Sequence, residues 1–115
     1  MIKLLVDEGY AYDFLSILHV KKLFFNNEKS KLLYNECSQF IENQIGQLLH
    51  QNILNSDEFK NLIDANAKTF EAVEKARYGK ISAKKVDDLN MLRFKFKSEL
   101  QNKFFPFNVF SESKS

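Results

Sequence analysis

The chain has 115 residues, 44% of them hydrophobic, with twelve Phe, no Trp, three Gly and one Pro. That is one domain's length with enough apolar mass for a core, and too few turn residues for a β fold. A net charge of +2 does not announce nucleic acid, and one cysteine excludes an internal disulfide or a cysteine-cluster metal site.

Ile2 to Val6 is a short apolar run, read as an extended N-terminal arm. Acid arrives at Asp7 and Glu8, too early for the apolar core of a signal peptide, and no run approaches the ~18 apolar residues of a membrane span. An intracellular, cytoplasmic protein without membrane contact is expected.

Asp7 is a candidate cap for a first helix ending near Phe25. Its apolar residues, among them Tyr10, Phe14, Leu15, Leu18 and Phe24, cover more than one stripe, which predicts burial on several sides. Asp13, Ser16, His19 and Lys22 recur every three residues and are expected to form the one solvated edge. Asn26, Asn27 and Glu28 make a loop and cap. A long second helix follows to about Asn52, with Leu33, Cys37, Phe40, Ile41, Ile45 and Leu48 at helical spacing. Gly46 is its weak point, by ~1 kcal/mol relative to Ala, and marks a bend or a close approach.

The strongest pattern runs from Asn55 to Phe105, two long helices joined by a turn at Tyr78 to Ile81. Asn55 is the expected cap of the first, with Glu58 reaching back to it and Leu54 stapled to Phe59. Its stripe is Phe59, Ile63, Asn66, Phe70, Val73 and Arg77, and Gly79 is its natural stop. Ser82 caps the second, whose stripe is Val86, Leu89, Arg93, Phe96, Leu100 and Lys103. Pro106 ends it, because the residue before a proline is steered away from helix.

These elements predict an all-α fold, a four-helix bundle with up-down-up-down antiparallel topology, a short N-terminal arm and a Phe-rich C-terminal tail. Residues 1–110 form the expected single domain, and 111–115 a frayed polar tail. Phe107, Val109 and Phe110 must find cover, by folding back on the core or by docking on a neighbour, and are the candidate interface residues. The abundance of Asn and Lys beside Phe and Ile is the mix that an AT-rich genome, such as a phage's, encodes.

Reaction chemistry is sparse. Gly9, Gly46 and Gly79 are isolated, so there is no phosphate-cradling glycine loop, and no His-Glu-x-x-His or Glu-x-x-His occurs. His19 and His50 read as surface residues, and Cys37 as a small buried hydrophobe. Cys37 and His50 stand ~20 Å apart along one straight helix, too far to pair unless the helix breaks, as at Gly46. No catalytic residue, metal site or cofactor is expected.

Three functional readings follow. The first is a non-catalytic interaction or assembly protein that forms a homo-oligomer, motivated by the excess apolar surface of the first helix and the aromatic tail. The second is a nucleic-acid-binding accessory protein. The first 76 residues hold 8 Lys+Arg against 11 Asp+Glu and the remainder 9 against 4, so the last helix is basic. Lys84, Lys85, Lys95 and Lys97 would carry that binding beside Phe94, although Asp87, Asp88 and Glu99 interrupt the patch. The third is a small-ligand binder or enzyme built on a polar layer between helices, at Asn66, Asn90 and Arg93.

Overall fold

A computed structural model describes residues 5–106. It contains five α-helices and no strand among the described residues: α1 (Glu8–Phe25), α2 (Glu28–Ile45), α3 (Gln47–Leu54), α4 (Asp57–Arg77) and α5 (Ala83–Phe104). None of these helices is long and apolar enough to cross a membrane. Of the expected N-terminal arm, Leu5 and Val6 are described, outside any helix and exposed. The aromatic tail, with Phe107, Val109 and Phe110, lies outside the described residues.

The helix ends follow local chemistry. The side chains of Asp7, Asn27, Ser56 and Ser82 each accept from the backbone N–H three residues on, at the starts of α1, α2, α4 and α5. The expected capping box at Asn55 is displaced by one residue. Asn55 closes α3 with helical dihedrals, while Ser56 is extended and its hydroxyl donates to the Ile53 carbonyl at 2.6 Å. Serving two helix ends at once is something Ser56 can do because a hydroxyl both donates and accepts. Glu58, released from capping, instead accepts from Lys103 of α5 at 3.0 Å.

The long second helix divides at Gly46. Its φ of 95° and ψ of 153° lie outside the range open to residues with a Cβ, so the chain turns there between α2 and α3. The turn lays the short α3 against α4 and buries Ile53 and His50.

The α4–α5 hairpin is the most extensively packed pair. On α4 the buried face is Phe59, Leu62, Ala65, Asn66, Thr69 and Ala72. It is rotated from the expected stripe: Phe59 and Asn66 are inside, Ile63 and Phe70 are half-buried, and Val73 and Arg77 are exposed. The later turns of α4 use small buried side chains, Ala65, Thr69 and Ala72. Thr69 returns its hydroxyl to the Ala65 carbonyl at 2.8 Å.

The core joins Tyr12 and Leu15 of α1, Ile41 of α2, Ile53 of α3, Phe59 and Leu62 of α4, Leu100 of α5 and Phe105 just beyond it. Each fully buried apolar side chain of this size contributes about 1.5–3 kcal/mol relative to exposure. At the far side of this core Gly9 meets α5. A Cβ there would lie 3.0 Å from the Lys97 carbonyl oxygen and 3.1 Å from Gln101. The Gly9 N–H donates to the Gln101 side chain, which in turn donates to Glu8 at 3.0 Å and to the Phe105 carbonyl at 3.1 Å.

Candidate functional site

α1 turns Asp13 and Ser16 inward and leaves Tyr10, Phe14, Phe24 and Phe25 about half-exposed, the reverse of the expected solvated edge. It packs on α2, α4 and α5. Ser16 is fully buried and Asp13 largely so. His19 is half-buried with its ring 5.6 Å from that of Tyr34, and Lys22 lies 3.9 Å above the same ring.

Asp13 is the hub of the inward cluster. Arg93 donates from Nη2 to its Oδ2 at 3.0 Å, and Asn66 donates from Nδ2 toward its Oδ1 at 3.1 Å. The Asn66 amide also approaches the Ser16 hydroxyl oxygen at 2.6 Å, and Ser16 donates to the Asp13 carbonyl at 2.6 Å. Arg93 reaches Asn90 through Nη1 at 3.1 Å, while its Nε is buried without a partner. The cluster thus ties α1, α4 and α5 through a charge-assisted pair with most of its hydrogen bonds filled. Shallow grooves of about 300 and 200 Å³ flank Arg93, the first including Ile17, Asn66, Phe70 and Arg77, the second Asp13, Asn90, Phe94 and Lys97.

A second polar junction lies on the other side of α1. His50 of α3 is 1% exposed, a correction to its expected surface position. Its Nδ1 is 2.7 Å from the Tyr12 hydroxyl and its Nε2 is 2.8 Å from the Ser38 hydroxyl. One imidazole thereby joins α1, α2 and α3, one ring nitrogen donating and the other accepting. Burial pushes the His50 pKa below the ordinary imidazole value, with nearby Glu42 acting weakly the other way, and raises that of Tyr12. His19 is lowered too, by burial and then by Lys22. A serine against a histidine resembles an activated nucleophile in its contact alone. Ser38, however, is half-buried within α2, and His50 is 1% exposed. The junction holds α1, α2 and α3 together.

The outward face of α1 presents Tyr10, Phe14, Ile17 and Lys21, spaced 4, 3 and 4. Tyr10 is 53% and Phe14 49% exposed. On the α2 side a groove of about 370 Å³ is lined by these two aromatics together with Cys37, Phe40 and Ile41. Cys37 is only half-buried there, and burial raises its thiol pKa. On the α5 side the Lys97 ammonium stands 5.7 Å from the Tyr10 ring centre and 5.1 Å from that of Phe94. At the far end Phe24 and Phe25 lie against Phe70 of α4, with ring centres 4.9 and 6.1 Å apart, and both remain about half-exposed. Among the described residues, no three His, Cys, Asp or Glu side chains gather to hold a metal ion.

The expected site residues are therefore distributed as follows. Asn66 and Arg93 meet on Asp13, and Asn90 sits at the exposed rim beside Arg93. The four lysines named for nucleic acid are spread along α5, with Lys84 and Lys95 on one side and Lys85 and Lys97 on two others. Lys84 lies 3.8 Å from Asp88, Lys85 lines the groove toward α4, Lys97 stands over Tyr10, and Lys95 is exposed. Asp13, expected on the solvated edge, escaped the sequence reading as an inward hub, although a carboxylate in the middle of a mostly apolar helix was a signal for a buried partner. So did Tyr10 and Phe14 as an exposed pair, because their stripe was only one of several apolar stripes on α1. No family model, no curated protein and no solved structure matches this chain.

Proposed function

We propose that this chain is a non-catalytic assembly protein that forms a homo-oligomer in the cytoplasm. In this reading it is a single domain built as a four-helix up-down-up-down bundle, with α2 and α3 together making one arm. The observation that carries the function is the polarity of α1. A helix that spends its polar residues inside the protein and leaves Tyr10, Phe14, Phe24 and Phe25 about half-exposed is costly in water unless another surface covers them. Phe40, at the edge of the same groove, extends the apolar area onto α2. Sedimentation velocity with native mass spectrometry of the full chain tests the reading. A discrete dimer or larger species of protein mass alone is the expected result, and a strict monomer at micromolar concentration overturns it.

A further inference from the structure

We infer that the self-association surface is the outward face of α1, and that two copies pack it antiparallel about a two-fold axis lying between Phe14 and Ile17. The inference rests on the self-assembly reading above and specifies its geometry.

Asp7, Tyr10, Phe14, Ile17, Lys21 and Phe24 step by 3, 4, 3, 4 and 3. That is the a/d seam of a helix pair. A closed dimer of one chain presents the same patch twice, so the seam must complement itself. Its two ends differ in charge. On the seam itself one end carries Asp7 and the other Lys21. Parallel pairing would bring acid to acid and base to base. Antiparallel pairing sets Phe14 against Ile17 of the second copy and Tyr10 against its Lys21, whose ammonium then reaches the acidic first turn. Such charge pairs contribute modestly to affinity and strongly to orientation. The aromatic layers supply the apolar contact, bordered by Phe40 on one side and Phe94 on the other.

Cysteine cross-linking of the full chain in a Cys37→Ser background tests the geometry. Tyr10→Cys and Lys21→Cys are both on exposed positions, and they lie ~16 Å apart along α1. Under mild oxidation the expected result is a disulfide between the two variants when mixed, identified by mass, and none when either is oxidised alone. Links within each variant alone, or a dimer with no link in the mixture, overturn the antiparallel seam and leave self-assembly standing. A monomer at every concentration overturns both. Phe14→Asp, with its helical circular dichroism retained, is expected to weaken the dimer by roughly a hundredfold or more. Lys21→Glu is expected to weaken it by roughly threefold to tenfold. An unchanged dimer in Phe14→Asp rules this face out.

Discussion

α1 and the α4–α5 hairpin are built from the same kinds of residue, and they differ in how far the pattern alone announces which side faces in. On the hairpin each helix has one apolar stripe and a well-charged back, so the pattern finds the buried side to within a rotation, Phe59 and Asn66 staying inside on α4 while Val73 and Arg77 turn out. On α1 apolar residues surround the helix, and several orientations bury similar area. There the short list of polar side chains decides. Asp13 and Ser16 find Arg93 and Asn66 across the interior, and the aromatics at 10 and 14 are left outside. A polar strip on an apolar helix is thus not evidence of solvent when neighbouring helices offer matching donors.

The comparison can be broken most severely on the hairpin. Leu62→Ala removes a fully buried side chain from the shared core, and is expected to cost about 2–5 kcal/mol in urea unfolding. In α1, Asp13→Ala leaves the Arg93 guanidinium and the Asn66 amide short of their acceptor, with an expected cost of about 2–3 kcal/mol. A loss as small as that of a surface substitution would show that the inward polar cluster does not hold α1. Gly9→Ala forces a methyl group against the α5 backbone, and about 1–3 kcal/mol of destabilisation is expected from overpacking.

A pH series separates the imidazole junction from the carboxylates. The folded protein holds His50 and His19 below their unfolded pKa values. As pH falls, the unfolded chain therefore binds protons first. Stability should be whole above about pH 6.5 and decline below it. The loss of the Glu58 contribution belongs to more acid pH, because Lys103 depresses that carboxyl below its usual range. Denaturant midpoints at pH 7.5 and 5.5 should therefore differ, and by less in His50→Gln. The smallest effect is expected at Phe14→Ser. Measured on the monomer at high dilution, it should change stability by about 0.5 kcal/mol or less, while the same substitution at the buried Leu15 would unfold much of the population.

Much of the fold was legible before any coordinates, and the reasons are local. Asp7, Asn27 and Ser82 cap helices because their short side chains reach the next turn's N–H, a property of three or four consecutive residues. Gly79, with φ of 73°, and Pro106 stop helices by backbone sterics alone. At Asn55 and Ser56 two capping residues stand side by side, and the winner was the one that could also bond back to Ile53.

The site was less legible because it depends on pairs far apart in the chain. Asn66 and Arg93 stood out as polar residues on buried stripes, but their common partner Asp13 lies 53 and 80 residues away, on a helix that offered no single inward face. His50 looked like a surface residue until the chain turned at Gly46 and carried it onto Tyr12 and Ser38. The sequence by itself determined that the chain is helical, where most helices begin and end, and that α1 holds more apolar surface than one stripe can use. These follow from backbone sterics and side-chain periodicity over a few turns. Only the tertiary structure decided which face of α1 turns inward and that Tyr10 and Phe14 remain outside. That choice is made by hydrogen bonds and close packing between helices, whose strength depends on distances that no local pattern encodes.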